Sequence, residues 1–139
     1  MPSTIRDAAA MLAAMAPVLD PETYVFCSTA DVRAIASAVP QALGSFREDE
    51  GLSLILERKA AEALGFDTRL PMRRIILTVN SALDGVGLTA AVAAALAAEN
   101  IPCNVVAAFR HDHIFMPAGM SARALAVLKD LQARAAGSA

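Results

Sequence analysis

Apolar residues fall along this chain in helical stripes and short strand-like runs that follow one another in a fixed order. Ile5, Ala8, Ala9, Leu12 and Met15 recur at helical spacing behind Thr4 and Asp7, a pair that imitates a capping box. Pro17 stops that helix, and Val18–Glu22 (VLDPE) reads as a connector. Tyr24–Ser28 has the make-up of a short buried strand. Ser28 and Asp31 then open a helix with Val32, Ile35 and Val39 on one face, ended by Pro40. Ala42–Arg47 and Leu52–Glu57 are strand-like runs on either side of EDEG, a sequence suited to a hairpin turn. Arg58–Leu64 is a short helix with Gly65 placed at its C′ position.

After the connector Phe66–Met72 the same order returns. Arg74–Val79 predicts a strand, and Asn80–Gly87 a glycine-bearing loop. A long alanine-rich helix follows, then the strands CNVVAAF and HIFMP joined through Arg110–Asp112. Ser121 is placed to cap a last helix carrying Leu125, Leu128 and Leu131 on one side. The chain thus reads as βαββα twice, offset by about 50 residues, with the order of elements repeating and the side chains not.

This predicts an α+β fold: two ferredoxin-like units with antiparallel sheets covered by helices on one face, plus an N-terminal helix. The expected division is residues 1–20 for that helix and its connector, 21–68 for the first unit and 69–139 for the second. Each unit needs a fourth strand. Phe66–Leu70 is a candidate for one, and the second unit has no evident source. An exposed sheet edge is hazardous, so edge-to-edge pairing is expected, within the chain or in a homodimer.

Composition narrows the function classes. The 139 residues are 56% hydrophobic, but alanine supplies much of this, and there are five Phe, one Tyr and no Trp. Twelve Lys and Arg against 14 Asp and Glu give a net charge of −2, without a basic run. Neither nucleic acid nor a membrane surface is an expected partner. Cys27 and Cys103 lie in apolar strand-like runs, as reduced buried thiols do. Asp7–Leu19 lacks the charge pattern of a signal peptide, and Val86–Ala98 is too short to span a bilayer, so a cytoplasmic location is expected.

The loop ahead of the alanine-rich helix is the strongest candidate for chemistry. Asp84 is expected as the N-cap, with Gly85 or Gly87 allowing positive φ or close backbone approach. First-turn amides at such a corner attract a carboxylate or phosphate. The stretch is neither G-x-G-x-x-G nor a P-loop. Other clusters read as structural. His111 and His113 share a strand face without an evident third metal ligand, and Asp112 is placed to accept amides of its own turn. Glu48–Glu50 is a solvated turn, and Arg69, Arg73 and Arg74 are expected to flank a strand and meet that acidic turn. No nucleophile, base and orienter come together, so no enzyme, cofactor or metal is expected. An acylphosphatase-like hydrolase is the enzymatic alternative, but it wants an arginine in the loop, and Asn80–Gly87 has none.

RIILTVNSALDGVGLTAAVAAALAAENIPCNVVAAFRHDHIFMP resembles the C-terminal part of bacterial tandem ACT-domain proteins of unknown function, a group related to the ACT modules of arginine-sensing regulators. YVFC and FREDEGLSLIL resemble their N-terminal part, so the resemblance covers roughly residues 10–132. It implies a regulatory module that binds a small amino acid or related carboxylate between paired ACT-like units. Carried over by position, the implied ligand residues are Asn80, Ser81, Leu83, Asp84, Gly85, Val86 and Gly87, with Asn104 in the following strand. The family often carries His where this chain has Asn80, and an Ala-Gly-Tyr-Tyr-like stretch in place of Ala107–Arg110. A ligand-free interaction module of the same fold is the alternative.

Overall fold

The computed structural model describes residues 7–137. Helix α1 (Ala8–Ala13) precedes a long strand β1 (Pro17–Thr29), and α2 (Val32–Ala38) runs into a 3-10 turn at Val39–Gln41. Strands β2 (Gly44–Glu48) and β3 (Gly51–Glu57) lead to α3 (Arg58–Ala63). The second pass is β4 (Met72–Leu77), α4 (Leu88–Ala98), β5 (Asn104–Ala107), β6 (Asp112–Pro117), a 3-10 turn at Ala118–Met120 and α5 (Ser121–Gly137). The doubled βαββα order is present, and the strands are hydrogen-bonded in the order β2-β3-β1-β4-β6-β5. The β1–β3, β2–β3 and β5–β6 pairs are antiparallel.

The chain forms two compact units, Glu22–Met72 and the residues on either side of that span. In the latter unit, alternate residues of β4 and β6 (Ile75, Leu77, Ile114, Met116) point to one face. They pack there with Met11, with Leu88, Val92 and Leu96 of α4, and with Ala124 and Leu128 of α5. Leu88, Val92 and Leu96 lie four residues apart, one stripe of the helix, and the alanines between them keep it slim. In Glu22–Met72 the core is Val25, Leu54 and Leu56 under Ala38 and Ala61. No helix among the described residues is long and apolar enough to cross a membrane.

Several expectations need correction. Val18–Glu22 is not a connector but the first part of β1. The polar character that suggested a loop is accounted for across strands. The Asp20 carbonyl accepts from Arg73 Nε (3.1 Å) and Nη2 (2.8 Å), and its carboxylate pairs with Arg74 at 2.6 Å. Pro21 is tolerated because β3 pairs β1 only from Tyr24 onward, so on that side no ladder bond is lost. This first part of β1, counted with the later unit, supplies the strand that unit appeared to lack.

Phe66–Leu70 forms no strand; Arg69 instead turns back to bind Asp67 with bonds of 2.7–3.0 Å. At the start of the chain, Asp7 is itself the N-cap of α1, accepting from the Ala10 amide at 2.9 Å. Thr4 and Ile5 lie outside the described residues. Ser121 does not cap α5: its hydroxyl donates to the Ala118 carbonyl, and the helix continues directly from the 3-10 turn. Val32 and Val39 face solvent, leaving Ala38 as the buried residue of α2.

Candidate functional site

Strand β4 ends at Leu77, but its alternation does not. Ile75, Leu77, Val79 and Ser81 are all buried, so Ser81 continues the core-facing row after the regular ladder stops. On the neighbouring strand Asp112, Ile114 and Met116 form the matching row, which makes Asp112 a core-facing residue at the start of β6. The two polar side chains meet where these rows run out. Ser81 Oγ donates to Asp112 Oδ2 at 3.4 Å, a long bond.

From Ser81 the chain makes a tight turn closed by Gly85 N–H to the Ala82 carbonyl (3.0 Å), with Leu83 and Asp84 at its tip. Gly87 then caps α4 by its backbone alone. Its φ is +107°, in the left-handed region that favours glycine, and a Cβ there would lie 2.9 Å from Cβ of Ala8. Asp84 was the expected N-cap, but the turn carries it to the tip, three residues too early, and α4 has no side-chain cap. The N-cap residue itself therefore offers the first-turn amides of α4 no side-chain acceptor.

A pocket of about 130 Å³ lies inside this corner. Its loop wall is Ser81, Ala82, Leu83, Gly85 and Gly87, and Leu88 and Thr89 bring the start of α4. The facing wall is Ala107, Ala108 and Asp112 of the β5–β6 hairpin, with Met11 of α1 at the base. On the outer side of the same loop, Asn80, Ser81, Ala82, Leu83 and Asp84 line a wider and more open depression of about 500 Å³ with Phe109 and Arg110. The Arg110 guanidinium lies 5.8 Å from the centre of the Phe109 ring, within reach of a cation–π contact.

Of the residues singled out in the sequence, Ser81, Leu83, Gly85 and Gly87 thus line the inner pocket, and Asn80 and Asp84 line only the outer depression. Val86 and Asn104 line neither. Val86 projects into solvent at 81% exposure, and Asn104 pairs with Phe115 at the opposite end of the hairpin from Asp112. Sequence reasoning missed Met11, Ala107, Ala108 and Thr89 as wall residues, and above all Asp112. Asp112 was expected to serve its own turn but is turned to Ser81 instead. Its parity with Ile114 and Met116 was the available signal.

Electrostatics set Asp112 apart. Burial pushes its carboxyl above the ordinary value, opposed by the Ser81 hydrogen bond and by the charges of His113 and His111. The two histidines are engaged elsewhere. His111 Nδ1 lies 3.1 Å from the Val79 carbonyl, and His113 Nδ1 lies 3.3 Å from Arg74 Nη1. Burial, with the Arg74 charge next, holds the His113 imidazole below its usual value. Arginine carries only donors, so His113 Nδ1 accepts this hydrogen bond and bears no proton. Arg73 and Arg74 thus serve Asp20, and Arg69 serves Asp67, rather than the acidic turn at Glu48–Glu50. Glu48 accepts from the Ser53 hydroxyl across its own hairpin.

Cys27 and Cys103 are free, half-buried thiols whose acidity burial suppresses. Among the described residues no group of three or more His, Cys, Asp or Glu is placed to hold a metal ion.

Comparison with known proteins gives this architecture its family. Profiles described as ACT domain match residues 3–73 and, separately, 70–130. The chain belongs to the ACT-domain family. Its tandem ACT plan is shared with a Vibrio cholerae protein of unknown function described as a possible transport protein. That protein is 37% identical, with 86% of this chain and 92% of that one covered and a TM-score of 0.77. The fold is also that of the regulatory subunits of aspartate kinase from Thermus thermophilus, in its ligand-free form, and Thermus flavus. Both are 11% identical: the first has a TM-score of 0.60, covering 85% of this chain and 97% of that one, the second 0.53, covering 83% and 95%. A search of curated proteins returned no match.

Proposed function

We propose that this tandem ACT protein is a non-enzymatic regulatory module, acting in the cytoplasm, that binds a small amino acid or related carboxylate metabolite at the Ser81–Gly87 corner. The observation that carries the reading is the inner pocket: a helix start without a side-chain cap faces a wall made by the β5–β6 hairpin. Magnitudes explain why the wall matters. A helix end stabilises a carboxylate by about 0.3–1 kcal/mol in the open and about 2 when partly buried, whereas micromolar affinity corresponds to about 8 kcal/mol. The remainder has to come from enclosure and from further polar partners. Ligand sites for drug-sized molecules run from about 300 to 1,000 Å³, so about 130 Å³ suits something smaller. The shared fold of the aspartate kinase regulatory subunits supports a regulatory rather than a catalytic role.

Thermal-shift screening of the full chain over the standard amino acids tests the reading. A ligand at 100 times its dissociation constant adds about 2.7 kcal/mol of stability; a flat panel at millimolar concentrations would reject it.

A second reading has its own observation. Leu83 and Phe109, 66% and 76% exposed, line the outer depression, and Val86 of the same loop is 81% exposed, as apolar residues awaiting a facing surface are. An assembly module pairing through this face would show a concentration-dependent mass that Val86→Ser abolishes, with no response to any amino acid.

A further inference from the structure

We infer that Asp112 makes the inner pocket selective for ligands carrying a protonated amine, so that it takes an amino acid in preference to the 2-hydroxy or 2-oxo acid of the same skeleton. This rests on the reading that the Ser81–Gly87 corner binds a small carboxylate, and it concerns a residue outside that loop.

Asp112 is 8% exposed and still lines the pocket. Its protein contact is the long bond from Ser81 to Oδ2, and no hydrogen bond from a described residue reaches Oδ1. An ionised carboxylate can accept about four hydrogen bonds, so most of its capacity is turned to the pocket. Burial makes the charge of this carboxylate costly, and a cationic partner would offset that. The nearby basic side chains do not relieve that cost by contact: His111 is turned to the Val79 carbonyl, and His113 to Arg74, which is itself bound to Asp20.

Across the pocket, Gly87, Leu88 and Thr89 present the start of an eleven-residue helix without a side-chain cap. The cavity therefore has one end that favours an anion and one that favours a cation. That is the charge pattern of an amino acid. A 2-hydroxy acid would offer Asp112 a neutral donor, a weaker partner than an ammonium. A 2-oxo acid would offer only an acceptor, which a carboxylate repels.

Isothermal titration of the full chain decides the matter. The probes are the twenty standard amino acids and, for each that binds, its 2-hydroxy and 2-oxo counterparts; L-alanine, L-lactate and pyruvate form the fixed set. The expected order is amine over hydroxyl over oxo, with the first step about tenfold to a hundredfold, as for a charge-assisted hydrogen bond. Asp112→Asn, with folding checked by circular dichroism, should bring the ratio towards one by weakening the amino acid. A wild-type ratio within threefold of one overturns the inference without any variant, as does a folded Asp112→Asn protein that keeps its preference. If all classes bind equally, only the role of Asp112 falls. If none binds, the proposed function falls with it.

Discussion

Helix α4 buries Leu88, Val92 and Leu96 over eleven residues, whereas its counterpart α2 runs seven and buries only Ala38. The pair α5 and α3 differ more, 17 residues against six. Among the described residues the core of the later unit has 13 buried members, and that of Glu22–Met72 has five. The same order of elements has been filled to different depths. The corners after the first strands differ in kind. Between β1 and α2 there are only Ala30 and Asp31, and Asp31 caps the helix itself, accepting from the Arg33 amide. Between β4 and α4 the chain detours through Thr78–Gly87 and leaves the helix without a side-chain cap. A corner satisfied by its own aspartate has little to offer a ligand; one whose N-cap is a glycine has more.

The ion pairs give the widest contrast. Asp20–Arg74 is buried in the later unit, while Asp67–Arg69 lies on the surface of the other. Arg74→Ala removes the ion-pair partner of the buried Asp20 carboxylate and should cost about 3–5 kcal/mol, read from urea midpoints. Arg69→Ala should leave the midpoint unchanged even though Arg69 holds the Asp67 carboxyl below its ordinary value, because water screens both groups. Equal effects would break the contrast.

Next comes the depth of the cores. Leu96→Ala removes a fully buried side chain from the larger cluster and should destabilise by about 2–5 kcal/mol. Leu56→Ala in the smaller cluster should fall in the lower half of that range, since a thinner layer collapses more readily into the space. The reverse ranking would show that the smaller core is the tighter one.

The corners can be separated in the same way. Gly87→Ala forces a Cβ into the left-handed region and against Ala8, for a loss of roughly 1–3 kcal/mol. Asp31→Ala should cost about 1 kcal/mol through the lost cap. Thermal denaturation of the two variants measures both.

The smallest effect is a pH slope. His113 is held below its unfolded value of 6.5, so the folded chain binds fewer protons than the unfolded one between those two values. Stability should fall as pH drops through that window and level off beneath it. Asp112, raised above 3.8, works in the opposite sense, adding stability as pH falls through its folded value. His113→Gln should remove the first component and, with the His113 charge gone, strengthen the second, visible in urea midpoints taken from pH 7 downward.

Much of the fold was legible beforehand because hydrophobic periodicity is local. The stripe of α4, the EDEG hairpin and the Gly65 stop each depend on neighbours within a turn or two. Where the reading failed, a distant partner had changed the meaning of a local signal. Val18–Glu22 looked like a loop until Arg73 and Arg74 satisfied Asp20 from 53 and 54 residues away. Asp84 looked like a cap, but the turn at Ala82–Gly85 leaves Gly87 at the N-cap position instead.

The amino-acid sequence by itself determined the kinds of element, their doubled order and the loop at which a ligand would be sought. These follow from spacing along one stretch of chain. Only the tertiary structure decided that Asp112 closes the pocket, since the parity that turns Ser81 and Asp112 to the core does not say that the two meet across 31 residues. It likewise decided that Gly87, rather than Asp84, is the N-cap, at a position where a Cβ would meet Ala8 of α1.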